Sequence, residues 1–345
     1  MSSPAVVEEL TPAWLGEVLG GRVDAVRAEP VGTGQIGTCH RLHLDGEGVP
    51  ATVLAKLPAV DRAARELLAG VYRTEAIFYA EVAPTVAIRV PACHHATMPT
   101  DSGDFVLLLE DLAPAVQGDQ LVGCTADQAR DAAVNLAGLH GPRWCDPTLL
   151  DLDGVTLTDA EGARVLGELY GPATDIFLDG LGDLLAPEDH DTLRACVAVT
   201  ERWTLARSER FGLVHGDYRL DNLLFPPDGG PGSVAVDWQT LSLGLPARDL
   251  AYLLGTGLPV ADRRAHERDL VAAYHSALVG HGVASYSAEQ AWDDYRFAML
   301  QGPLVSVFGC AYGTRTDRGD RMFAAMVTRS CAAIRDLGSL EMASS

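Results

Sequence analysis

Two short stretches carry oxygen ligands at suggestive spacing. LVHGDYRLDNLLF, residues 213–225, places Asp217 and Asn222 five apart, and SVAVDWQ ends an apolar run on Asp237, twenty residues beyond Asp217. A hard dication such as Mg2+ takes oxygen ligands, so Asn222 and Asp237 can hold one while nucleotide phosphates complete its shell. Asp217 is then free to orient, and deprotonate, an attacking hydroxyl. Upstream, ATVLAKLPA contains Lys56, the single lysine among 26 basic Lys and Arg residues. An ammonium is a compact point charge on a slender stem, whereas a guanidinium is a broad planar fork, so a site shaped for the first need not accept the second. Glu75, nineteen residues on, is the expected partner that holds this ammonium over the α- and β-phosphates, with Glu81 as the alternative. Taken singly, each residue has an innocent reading, an edge-strand lysine or a turn-capping aspartate. Their joint order and spacing do not.

The elements around these residues follow from periodicity. Residues 7–19 read as a short helix with Thr11-Pro12 as a cap and first-turn proline. DAVRAEPVG, CHRLHLDGEG and ATVLAKL read as three strands, the last two joined by a turn at Asp45-Gly46. A helix is expected over 62–81, its stripe of Ile77, Phe78 and Val82 packing on the sheet. Strands AIRVPACHH and FVLLLEDL follow. After Leu112 the texture turns helical, in TADQARDAAVNLAGLHG, TLTDAEGARVLGELY, APEDHDTLRACVAVTERWTLARSE and most of the chain beyond Pro246. It is interrupted by the strand segments FGLVHGD and SVAVDWQ. A small strand-rich lobe followed by a larger helical lobe is the pattern.

Gly32, Gly34 and Gly37 form a G-x-G-x-x-G run with two physical meanings. Before a helix it seats a dinucleotide pyrophosphate on the helix N-terminus; before a strand it lays backbone over phosphates. Here TCHRLHL comes next, with Leu42 and Leu44 on one face and Arg41 and His43 on the other, which is a strand. The run is therefore a strand-to-strand turn, over phosphates or as a plain glycine-rich hairpin, and the oxidoreductase reading loses most of its support.

Composition narrows the class. A 345-residue chain, 48% hydrophobic, has material for two lobes. A formal charge of -21 argues against nucleic acid and against anionic membrane surfaces, both of which need a basic footprint. Seven scattered cysteines without a C-x-x-C pair suggest free thiols in a reducing cytoplasm. The N-terminus lacks a signal-peptide pattern and no apolar run reaches membrane-spanning length, so a soluble cytoplasmic protein is expected. Cys39-His40-x-x-His43 and Cys93-His94-His95 alternate faces on extended backbone and do not converge on a zinc ion.

On these residues the chain resembles the aminoglycoside phosphotransferase-like kinases of small molecules. The resemblance covers roughly residues 20–335 and is strongest in LVHGDYRLDNLLF, VAVDWQTLSLGLPARDLAYLLG and FVLLLEDL. It looks closest to the ecdysteroid-kinase-like and acyl-CoA-dehydrogenase-associated branch, through HGDYRLDN, DWQ and ARDLAYLL together. The resemblance implies an α+β protein-kinase-like two-lobe fold. A nucleotide-binding lobe with a small antiparallel sheet and one main helix covers 1–111, and a mostly helical catalytic and substrate-binding lobe covers 112–345. It implies Asp217 as catalytic aspartate, Asn222 and Asp237 as Mg2+ ligands, and Lys56 with Glu75 as the phosphate-positioning pair. Gly32, Gly34 and Gly37 cover ATP or GTP, Leu109 stands at the gatekeeper position, and backbone of Glu110 and Leu112 meets the nucleobase edge. His215 and Asp249 are expected to brace the loops.

Departures from the protein-kinase pattern matter too. Gly216 replaces the arginine that answers a phosphorylated activation loop. Only LSLGLPARD lies between the Asp237 segment and the next helix, too little for a peptide-docking segment, so a small-molecule acceptor is implied. Leu220 stands where many aminoglycoside kinases carry proline. Arg219, two after Asp217, is expected to neutralise transition-state charge. The expected activity is Mg2+-dependent phosphorylation of a small-molecule hydroxyl. Either an antibiotic, aminoglycoside or nucleoside, is the acceptor and the protein a resistance enzyme, or the acceptor is a hydroxyacyl-CoA, hydroxy acid or steroid-like alcohol. A nucleotide-binding pseudokinase is the remaining alternative, which intact Asp217, Asn222 and Asp237 disfavour.

Overall fold

Alternating apolar residues in the first hundred positions build one antiparallel sheet. The computed structural model describes residues 4–32, 37–100 and 102–344. Its first sheet comprises β1 (Arg22–Pro30), β2 (Gly37–Glu47), β3 (Thr52–Pro58), β4 (Cys93–Ala96) and β5 (Leu107–Glu110), in the order β1-β2-β3-β5-β4. Leu42, Leu44, Val53, Ala55, Leu57 and Leu108 share a buried cluster with Trp14 and Leu15 of α1 (Pro12–Leu19). Because strand side chains alternate, burying Ala55 and Leu57 on that face turns Lys56 to the other. There α2 (Arg62–Ile77) begins at Asp61, whose side chain accepts the Ala64 N–H, and runs into a π-helical turn at Phe78–Val82.

Several local expectations shift. The helix expected over 7–19 is a 3-10 turn, Val7–Glu9, followed by α1, because Thr11 caps a fresh start by accepting the Trp14 N–H ahead of Pro12. Asp45-Gly46 is not a turn. β2 continues through it, paired with β1, and Gly46 serves close approach, since a Cβ there would run into the Arg22 carbonyl. The reversal comes later, at Gly48, whose φ of 73° suits glycine. The helix expected to reach 81 stays α-helical only to Ile77. Of AIRVPACHH only Cys93–Ala96 forms a strand, as Pro91 has no N–H to give a ladder.

The chain divides into two units, one within Met1–Thr85, Val90–Pro114 and Asp237–Thr240, the other within Val86–Arg89, Ala115–Val236 and Leu241–Ser345. The second is built on α3 (Ala126–His140), α4 (Ala160–Leu181), α5 (Pro187–Leu205), α6 (Ala247–Gly257), α7 (Val260–Gly280), α8 (Ala288–Phe297), α9 (Gln301–Tyr312), α10 (Asp317–Leu337) and α11 (Ser339–Ser344). Thr125 and Gln128 form a capping box at the start of α3, satisfying N–H groups that the first turn leaves open. Two small ribbons carry the loops of interest. In one, β6 (Val116–Gln117), β8 (Leu223–Phe225) and β9 (Val234–Ala235) pair; in the other, β7 (Gly212–Val214) pairs with β10 (Ser242–Gly244). No helix among the described residues is long and apolar enough to cross a membrane.

Residues 86–89 are pinned to α3: Ala87 N–H donates to the Gly138 carbonyl at 2.8 Å, and Arg89 N–H to Asn135 Oδ1 at 2.8 Å. A Cβ on Gly138 would lie 2.8 Å from the backbone of Ala87 and Ile88. Backbone cannot move aside as a flexible side chain can. Gly138→Ala is therefore expected to destabilise the protein by about 1–3 kcal/mol in denaturant unfolding, although alanine is the better helix former.

Candidate active site

The first unit assembles a buried ion triad. Lys56 Nζ lies 2.7 Å from both carboxylate oxygens of Glu75 and 3.2 Å from Asp237 Oδ1. Glu75 is fully buried, while Glu81 is exposed in the π-helical turn, so Glu75 is the partner. Burial works against the ammonium, but Glu75 and Asp237 outweigh it and hold its pKa above the ordinary lysine value. Burial also raises the Glu75 pKa, with Lys56 pulling the other way. Cys39, opposite Lys56 in the β2–β3 register, is pushed up to about 11 by burial and stays a thiol.

Asp237 adopts φ 68°, left-handed backbone that few residues other than glycine accept. The next two residues are tied to the helix that carries Glu75. Trp238 N–H donates to Glu75 Oε1 at 3.4 Å and Gln239 Nε2 to Oε2 at 3.3 Å. The Trp238 ring stacks on Phe78 with centroids 3.6 Å apart and planes within 2°. Strained backbone persists only where its surroundings over-determine it, and these contacts do so here.

In the same unit, Gly37 opens β2, and a Cβ there would meet the Leu57 carbonyl, so glycine permits close strand approach. Gly32 has φ 73° with open space around its Cα. Gly34 lies outside the described residues. Leu109 is buried opposite Leu54 in β5; Glu110 N–H is committed to the Ala92 carbonyl at 2.8 Å; Leu112 lies just past the strand, half-buried.

The second unit presents a tightly bonded loop, 215–222. Gly216 has φ 81°, which explains why an arginine cannot occupy this position without strain. Asp249, at the start of α6, accepts the N–H groups of His215 (2.6 Å) and Gly216 (3.0 Å). His215 accepts the Asp217 N–H at Nδ1 (3.3 Å) and donates from Nε2 to the Val236 carbonyl (3.1 Å), which fixes its tautomer. Val236 N–H donates to the Asn222 carbonyl at 3.0 Å, tying the residue before Asp237 to the loop.

The Asp217 carboxylate accepts from Asn222 Nδ2 (2.8 Å), Arg219 Nε (3.1 Å) and the Tyr252 hydroxyl (2.9 Å). Sequence reasoning missed Tyr252, yet the spacing held a signal: Asp249 and Tyr252, three apart in α6, share one helix face. It also missed Asp221, whose carboxylate accepts Gln120 N–H (2.8 Å), Arg219 Nη1 (3.2 Å) and Arg318 Nη1 (3.1 Å). Burial raises the Asp221 pKa, but Arg318 and the Gln120 amide overcome it and keep the group ionised below the usual range. Among the described residues no cluster of three or more His, Cys, Asp or Glu side chains forms a metal cage. Mg2+ bound to nucleotide phosphates needs no such cage, one or two protein oxygens being its usual share, and the Asn222 and Asp237 donor types fit that demand.

A protein-kinase-like fold with these groups defines a phosphotransferase. The chain belongs to the phosphotransferase enzyme family, whose model matches residues 46–292. Its fold is similar to the choline kinase of Cryptosporidium parvum Iowa II (TM-score 0.56, 11% identity, 92% of each chain covered). It is similar also to an ethanolamine kinase of Plasmodium vivax (TM-score 0.52, 12% identity, 91% of this chain and 85% of that one). The ADP-bound aminoglycoside phosphotransferase APH(2'')-Ib matches at TM-score 0.52 and 15% identity over 95% of this chain and 99% of that one. A 48-residue stretch is 48% identical to mouse acyl-CoA dehydrogenase family member 10, covering 14% of this chain but 4% of that protein.

Lys56→Arg conserves charge but replaces three tetrahedral donors by a planar fork, which cannot keep both Glu75 oxygens and Asp237 at the observed distances. Phosphoryl transfer is expected to fall at least a hundredfold, with the thermal unfolding midpoint little changed, as measured by nucleoside-diphosphate release and calorimetry.

Proposed function

We propose that the protein is a Mg2+-dependent kinase that transfers the γ-phosphoryl group of ATP or GTP to a hydroxyl of a small molecule. The observation that carries this reading is the set of donors on Asp217, which holds one carboxylate oriented for an acceptor hydroxyl in a chain whose family is phosphotransferase. Lys56, steadied by Glu75, holds the α- and β-phosphates. Asn222 and Asp237 are the metal ligands, and the metal neutralises charge on the transferred group. Gly32, Gly34 and Gly37 cover the phosphates; Leu109, Glu110 and Leu112 meet the nucleobase. Arg219 adds positive charge beside the reacting oxygens while fixing Asp217.

The acceptor is an uncharged or anionic alcohol of the hydroxy-acid, hydroxyacyl-thioester or steroid-like kind rather than an aminoglycoside. Arg219 bonds Asp217 and shares Asp221 with Arg318, which also pairs with Asp119, and the Met322 sulfur lies 3.2 Å from Arg219 Nη1. A guanidinium bonded directly to Asp217 works against a cationic amino sugar at that carboxylate. The 48-residue stretch that is 48% identical to mouse acyl-CoA dehydrogenase family member 10 agrees with that class.

The test is a panel of hydroxy acids, hydroxyacyl thioesters, steroid-like alcohols, aminoglycosides and nucleosides with Mg2+ and ATP or GTP, read by mass spectrometry. One phosphoryl group is expected on a member of the first three classes, none when EDTA removes the metal, and at least a hundredfold less with Asp217→Ala. Phosphorylation of aminoglycosides alone defeats the acceptor assignment. A second arm isolates Arg219: Arg219→Ala is expected to cut turnover more than about threefold, and a smaller change removes its charge-neutralising role.

A further inference from the structure

Tyr252 lies in α6 with 1% of its surface exposed, and its hydroxyl donates to Asp217 Oδ1 at 2.9 Å. The ring is fixed in a small cluster with Met322 and Met326 of α10, against which Val305 and Phe323 pack. Burial, reinforced by the nearby Asp217 charge, holds the phenol far above the ordinary tyrosine range, so at working pH the hydroxyl keeps the proton it donates. The other two donors on Asp217 have further duties. Arg219 is shared with Asp221, and Asn222 also donates to the Asp217 carbonyl at 2.9 Å besides its role at the metal.

We propose that Tyr252 is a positioning residue for phosphoryl transfer: anchored between α6 and α10, it fixes the rotation of the Asp217 carboxylate so that the acceptor hydroxyl meets an oxygen already aimed. This role rests on the reading of Asp217 as the group that orients the acceptor. It extends the site from the loop at 215–222 to the packing of the C-terminal helices.

Tyr252→Phe deletes the hydroxyl and keeps the ring. Its kcat with the best acceptor is expected to fall roughly ten- to a hundredfold, the effect of losing a hydrogen bond to a charged group. KM for the nucleotide should stay within about twofold. In an Asp217→Ala background the same substitution should change the residual rate by less than about twofold, because the partner is already gone. Met326→Leu, a volume-conserving change in the cluster, should retain near wild-type kcat. An unchanged kcat in Tyr252→Phe overturns the proposal. So do equal losses with and without Asp217, or a Met326→Leu loss as large as that of Tyr252→Phe, since each makes the effect one of packing. Wild-type protein that phosphorylates no acceptor, water included, overturns the kinase reading together with this role; wild-type turnover with an unaffected Tyr252→Phe overturns the role alone.

Discussion

An ammonium withdrawn from water has to be matched by carboxylates held at bonding distance, and that demand organises the first unit around Lys56. The Lys56 side chain is 20% exposed and Glu75 fully buried, so neither charge is sustainable alone. Alternation along β3 turns Lys56 away from the apolar cluster under the sheet. The length and cap of α2 set the height at which Glu75 arrives. The same carboxylate then receives the Trp238 N–H, and three residues beyond it Phe78 stacks on the Trp238 ring. The left-handed backbone of Asp237 is thus held from both ends, through its own carboxylate on Lys56 and through the residue after it. A π-helical turn directly after this contact is in keeping with the frequency of such turns at functional sites.

The second unit solves a different problem, that of keeping a loop of non-repeating backbone in one conformation. It does so with carboxylates that each collect several donors. Asp249 takes two successive amides, Asp221 takes an amide and two guanidiniums, and Asp217 takes an amide side chain, a guanidinium and a phenol. Charge-assisted hydrogen bonds of this kind are shorter and stronger than neutral ones, and their geometry leaves each carboxylate one orientation. The glycine at 216 is what lets two consecutive N–H groups point at Asp249. A side chain there would trade that grip for strain, so the absence of a loop-sensing arginine and the rigidity of the loop are one fact.

How far sequence reasoning reached depended on the range of the interaction. Lys56 with Glu75 was legible because both ends lie on regular elements whose periodicity aims them. The sheet was legible from alternation. Asp45-Gly46 misled because glycine beside aspartate is the usual mark of a hairpin, whereas Gly46 answers to a neighbouring strand's carbonyl, a contact no local pattern encodes. The end of α2 was misplaced because apolar Phe78 and Val82 continue the helical stripe while the backbone widens to seat Phe78 on Trp238. Tyr252 and Arg318 escaped notice for the same reason: they reach Asp217 and Asp221 from 35 and 97 residues away in the chain.

The use of basic residues stems from the same geometry. Arg329 spreads its fork over the carbonyls of Gln120, Thr256 and Leu121, and Arg318 and Arg219 share Asp221; each gathers planar acceptors at several angles. Such service is what a guanidinium does well, and the chain calls on it throughout. At Lys56 the acceptors close around a point instead, two oxygens of one carboxylate at equal distance and a third from Asp237. Three rotatable protons on one nitrogen serve such a convergence, and a fixed plane of five does not. One lysine in a chain of arginines is therefore the residue type that this convergence selects.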